Sequence, residues 1–120
     1  MNLLADLLVG LVALLHIYFL ILEMFFWTQP KGLRIFRQSL EKAQASAVLA
    51  ANQGLYNGFL AAGLVWGLLH PAKDFSFQIK IFFLSCVIIA GAYGAFTVSK
   101  IILYVQALPA ALAIGALLIA

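Results

Sequence analysis

The residues with the widest chemical reach are a histidine and a glutamate inside one apolar run. His16 and Glu23, with Asp6, interrupt the stretch from Leu3 to Trp27. An ionisable side chain in hydrocarbon costs about 2.5–3.5 kcal/mol on insertion scales, so it turns inward and finds a partner. The seven positions from His16 to Glu23 make nearly two helical turns, which puts both on one face about 10.5 Å apart along the axis. They are too far apart to bond directly. They can line one cavity, be bridged by water or a ligand, and serve as proton-exchanging groups. The structural alternative is a satisfied core histidine, with a glutamate one turn from the helix end reaching the interface.

A second cluster follows in Ala51-Asn52-Gln53-Gly54-Leu55-Tyr56-Asn57-Gly58. Amides in hydrocarbon are expensive unless hydrogen-bonded. Asn52 and Tyr56 are four apart, as are Gln53 and Asn57, so each pair stacks on one helix face. Counting about 1.5 Å per residue, Tyr56 and Asn57 of an antiparallel second helix fall at the depth of His16. Glu23 and the Asn52–Gln53 pair share the other half. Tyr93 and Gln106 reach a similar depth on later helices and are expected to complete the cavity. The alternative is polar glue between helices, worth about 0.6 kcal/mol per bond. Tyr18 and Tyr104 read as interface or packing residues, and His70 beside Pro71 as a solvated helix end.

Other chemistries lack their residues. No GxSxG, P-loop or GxGxxG opening a helix is present. One histidine with one distant carboxylate does not make a metal site, and His70 lies near the wrong surface to share a haem with His16. The single cysteine, Cys86, excludes an intrachain disulfide and reads as a small buried apolar residue. No cofactor is identified, and no catalytic residue is assigned.

The elements that would position these groups are membrane spans. Apolar residues make up 66% of the 120-residue chain and charged residues 9%. A soluble domain carries about 25% charge, so the apolar excess is expected to face lipid. The runs predict an all-α polytopic membrane protein, a four-transmembrane-helix bundle in one domain, with spans over 3–28, 45–70, 75–99 and 101–120. Phe25, Phe26 and Trp27 suit an interfacial belt. Pro30 and Gly32 are expected to end the first helix.

Residues 31–44 carry Lys31, Arg34, Arg37, Gln38, Glu41, Lys42 and Gln44 among Leu33, Ile35, Phe36 and Leu40. That spacing fits a short amphipathic connection on the membrane surface, or else a polar loop. Gly54/Gly58 and Gly63/Gly67 form two GxxxG patterns that permit close helix approach. Gly91, Gly94 and Ala95 make another small-residue face. Lys80 is expected to snorkel to the headgroups, Lys100 to mark a tight turn, and Pro109 to kink the last helix.

The net charge of +3 does not read as a nucleic-acid footprint, because the basic residues lie in short loops. Lys31, Arg34, Arg37, Lys42 and Lys100 fall on one side, Lys73 and Lys80 on the other. The positive-inside rule then places both termini outside the cytoplasm of a bacterial inner membrane. The N-terminus lacks the basic segment of a cleaved signal.

Leu14-Leu15-His16-Ile17-Tyr18 with Glu23-Met24, then Leu49-Ala50-Ala51-Asn52-Gln53-Gly54-Leu55-Tyr56-Asn57-Gly58-Phe59-Leu60-Ala61, resembles a family of small bacterial membrane proteins known only as a domain of unknown function (number thirteen-oh-four). The resemblance covers essentially the whole chain, and its asparagine-glutamine-glycine run is the specific part. It implies four helices, similar to the DoxX-like group, and stresses His16, Glu23, Asn52, Gln53, Tyr56, Asn57 and Gly58. It implies no reaction.

The resulting expectation is an inner-membrane protein that binds a small molecule or lipid in a polar cavity, for transport or sensing. Its partners would be the bilayer, that ligand, and a second copy through the glycine faces. Two alternatives remain open: an intramembrane enzyme or redox partner acting on a quinone or lipid, and a structural subunit of a membrane complex.

Overall fold

A computed structural model describes residues 2–120. The regular structure of the described residues is all helical, without strands: α1 Leu3–Phe25, α2 Pro30–Phe36, α3 Leu40–Leu69, α4 Lys73–Thr97, a π-helical turn over Leu103–Ala107, and α5 Leu108–Ile119. Two helices, α1 and α4, are long and apolar enough to cross a membrane. Helix α3 has 30 residues, but Glu41, Lys42, Asn52, Gln53 and Asn57 dilute its apolar content. The last apolar helix, Leu103–Ile119, is shorter than the roughly 20 residues of a full span. The four expected runs are therefore all helical, and two meet the full requirement.

The chain forms two compact units. One combines Met1–Leu15 with Leu60–Ala120, and the other is His16–Phe59; α1 and α3 each contribute to both.

In the first unit, the core is built from small and branched side chains. Ala5, Val9, Val12 and Ala13 of α1 meet Leu64 of α3, Leu84 and Val87 of α4, and Ala110, Ala113, Ala116 and Leu117 of α5. The α1 positions recur at i, i+4, i+7 and i+8, one stripe of a 3.6-residue helix. Helix α4 ends at Thr97, where Val98 N–H and Ser99 N–H both donate to the Gly94 carbonyl, and helix resumes by Ile101. Ahead of Pro109, where the sequence predicts a kink, the chain forms a π turn over Leu103–Ala107. Proline lacks the N–H and crowds the carbonyl four residues back, and a wider turn absorbs both. Gly91 lets α4 approach this turn, since a Cβ there would lie 2.9 Å from the Ala107 nitrogen.

In the second unit, Pro30 and Gly32 do not terminate α1, which has already ended at Phe25. Pro30 instead opens α2, where its missing N–H costs nothing. Gly32 packs so closely on the Phe26 carbonyl that any side chain would collide with it. The expected 31–44 connection is divided. Arg37 adopts the left-handed conformation (φ 52°) and Gln38 N–H closes back on the Leu33 carbonyl at 3.1 Å, a Schellman-type stop. Ser39 Oγ then accepts the Lys42 N–H at 3.2 Å, capping α3. Helix α3 consequently starts at Leu40 rather than at 45. Trp27 Nε1 donates to Ser46 Oγ at 3.2 Å, and its ring packs on Phe36 with centroids 4.7 Å apart.

Candidate functional site

The second unit holds the polar group with the most constrained geometry. Helix α1 is buried at His16, Leu22 and Glu23, the face that the seven-residue spacing predicts. Glu23 is 7% exposed, and Asn57 Nδ2 of α3 donates to its Oε1 at 2.5 Å. His16 is fully buried. Its ring lies edge-on to Phe19, with centroids 5.3 Å apart.

A small-residue stripe on α3 makes the close approach possible. Ala50 and Gly54 are buried, and Asn57 and Gly58 are half-buried. At about 100° per residue these positions share one face. A Cβ on Gly54 would meet the Glu23 Cβ at 3.1 Å and the Leu20 carbonyl at 3.3 Å, and one on Gly58 would strike the Leu20 side chain at 2.7 Å. The two glycines thus bring the α3 backbone against α1 and set Asn57 within reach of the carboxylate.

The same rotation turns the other polar residues of the run outward. Asn52, Gln53 and Tyr56 are exposed, and Tyr56 stacks edge-on with Phe59, 5.7 Å between centroids. The expected i, i+4 pairings do share faces, but the Asn52–Tyr56 face points away from the glycine stripe. Of the three amides, Asn57 alone carries the bond to Glu23 among the described residues. The signal for this was in the sequence: Ala50, Gly54, Gly58 and Ala61 mark the contact face, and Asn57 falls on it.

Tyr93 and Gln106 belong to the first unit. Tyr93 is exposed and its carbonyl accepts the Thr97 hydroxyl at 2.8 Å. Gln106 lies in the π turn, and its Nε2 reaches the Val87 carbonyl at 3.5 Å. His70 is not merely a solvated terminus: its Nδ1 accepts the Ala72 N–H at 3.1 Å, closing the turn into α4.

The first unit also contains charged residues that sequence reasoning passed over. Lys80, expected to snorkel, is 3% exposed. Its Nζ donates to Asp6 Oδ1 at 2.8 Å. Beside it, the buried Ser76 hydroxyl donates to the Gly67 carbonyl at 2.6 Å. Asp6 lies near the start of α1 and Lys80 inside α4, so nothing local announced the pair. Their opposite charges within apolar runs were the available clue.

Most glycines of the small-residue faces are occupied by the chain itself. Gly63 sits beneath the Phe83 ring, Gly67 against Lys80 and Ile79, Gly91 against Ala107, and Gly94 against Ile102.

Residues 10–118 match the family model described as protein of unknown function (DUF1304). The chain is 32% identical over 108 residues to the uncharacterized protein YpaA of Lactococcus lactis subsp. lactis (strain IL1403), a match covering 88% of this chain and 89% of that protein. No solved structure matches, and neither match bears on the DoxX-like likeness.

Proposed function

This chain belongs to the family described as protein of unknown function (DUF1304), and from that premise we propose that it is a multi-pass membrane protein that binds a small molecule or lipid. In this proposal all four long helical runs, and not α1 and α4 alone, cross the membrane. Its support is the large apolar side chains left outside on each of them: Leu7 and Leu14 on α1, Leu49 and Trp66 on α3, Phe82 and Phe96 on α4, Leu112 and Leu118 on α5. Patches of that extent on a soluble protein would aggregate. The connection from Lys31 to Lys42 faces the cytoplasm by the positive-inside rule.

The observation that carries the binding role is Glu23, a carboxylate held by Asn57 within an apolar helix pair. Packing alone would place an aliphatic residue there, since an intramembrane carboxylate is costly. Glu23 supplies an ionisable acceptor, Asn57 orients it, and His16 lies on the same buried face. The test is native mass spectrometry of the protein purified in mild detergent. A bound small molecule should be present in the wild type, and its occupancy should fall several-fold in Glu23→Gln. An unliganded wild type, or equal occupancy in a folded Glu23→Gln variant, would sink the reading.

A homo-oligomeric form of the same protein is favoured by a different observation. Asn52 and Gln53 are exposed on α3, and amides both donate and accept, so two copies of this face satisfy each other. The same spectra report this directly through the copy number.

A further inference from the structure

A second polar site lies in the first unit, well apart in sequence from Glu23. A cavity of about 510 Å³ opens between the beginning of α1, the beginning of α4 and the end of α5. Its polar lining comes from Asn2, Asp6, Lys73, Ser76 and Lys80, and its apolar wall includes Phe77 and Leu117.

The placement is built by helix periodicity. Lys73, Ser76, Phe77 and Lys80 recur at i, i+3, i+4 and i+7, one face of α4. Asn2 and Asp6 are four apart, and Asn2 Oδ1 accepts the Ala5 N–H at 3.2 Å, which fixes the first turn of α1. Lys73 and Lys80 line the cavity alongside Asp6 and Ala120, the last residue of the sequence. Asp74 is next to Lys73 in the chain but lies outside the lining.

Lys80 is the buried charge of this lining. Its ammonium has three N–H donors, and among the described residues one of them goes to Asp6. A buried ion pair is a poor stabiliser compared with an apolar pair of the same volume. A lysine kept 3% exposed beside a cavity is therefore better explained by something it holds there. Asp6 holds the ammonium, and Lys73 and Lys80 both line the cavity.

We propose that this cavity binds the oxyanion head, phosphate or carboxylate, of an amphiphile whose tail follows the wall formed by Phe77 and Leu117. An anionic head accepts hydrogen bonds from the two lysines that line the cavity, and the apolar wall suits an acyl chain. The proposal relies on the membrane placement above for the source of the amphiphile, and is independent of the Glu23 site.

The test uses the full chain in detergent, with lipid adducts counted by native mass spectrometry. The probes are phosphatidylglycerol, dodecanoate, phosphatidylcholine and inorganic phosphate. Phosphatidylglycerol and dodecanoate, whose heads are net anionic, should bind about tenfold more tightly than phosphatidylcholine, whose own choline cation offsets its phosphate. Lys73→Gln, at an exposed position, should weaken this preference. The paired change Asp6→Asn with Lys80→Gln keeps a hydrogen-bonding pair and removes the buried ammonium together with its counter-charge, so it guards against simple misfolding; it should reduce the preference several-fold, with Lys73 still in place. Glu23→Gln should leave it intact, which separates failure here from failure of the Glu23 reading. Equal binding of the two phospholipids, undiminished preference in both cavity variants, or binding of inorganic phosphate with no gain from a tail would each overturn the proposal.

Discussion

At the scale of single residues, burial without a partner is the cost that organises this protein. Glu23 meets Asn57, and Lys80 meets Asp6. Each pair joins helices distant in sequence. Removing one partner leaves the other stranded, whereas replacing both with apolar groups restores a uniform interior. Asn57→Leu should therefore destabilise by about 1–3 kcal/mol, the penalty for an abandoned polar group. Glu23→Leu combined with Asn57→Leu should recover a large part of that loss. Thermal unfolding of the four members of this cycle in one detergent measures the coupling. Strictly additive losses would show that the bond contributes nothing of its own.

At the scale of elements, backbone approach is governed by where glycine can be replaced. Gly91 faces backbone: an added Cβ would lie 2.9 Å from the Ala107 nitrogen and 3.2 Å from its Cα. Backbone cannot swing aside, so Gly91→Ala must separate α4 from the π turn. At Gly94 the obstacle is the Ile102 side chain at 3.2 Å, which can adjust by a few tenths of an ångström. Gly10 and Gly115 have nothing within 4 Å. There alanine meets no obstacle and gains helix propensity, up to about 1 kcal/mol. The expected order of melting temperature is thus Gly10→Ala and Gly115→Ala at or above wild type, Gly94→Ala below it, and Gly91→Ala lowest. Gly91→Ala melting with the wild type would show that α4 and the π turn are less closely packed than described.

At the scale of the whole molecule, the proposed four spans fix the sidedness of the connections. With Cys86 replaced by alanine, single cysteines at Gln38 and Ala72 should react with a membrane-impermeant maleimide from opposite faces of sealed vesicles. The residue 38 cysteine should label only from the cytoplasmic side. Labelling of both from one side would reject an odd number of spans between them.

The amino-acid sequence by itself determined the helical class, the approximate helix positions and the buried face of α1. These follow from apolar run length and from the 3.6-residue period, which are properties of consecutive residues. His16 and Glu23 share a face for that reason alone. Short-range capping was also written there, in Ser39 ahead of α3 and Pro30 opening α2, although the polar composition of residues 31–44 hid it as one amphipathic stretch. Only the tertiary structure decided which amide of the Asn52–Asn57 run meets Glu23, because that depends on the rotation of α3 about its axis. The rotation is set by the fit of Gly54 and Gly58 against Leu20 and Glu23, a contact between residues more than thirty positions apart. The same holds for Lys80. Taken alone it is a lysine two turns into a helix, free to snorkel; against Asp6, 74 positions away, it becomes a buried charge. Partner identity is a long-range property, fixed when helices pack and not before.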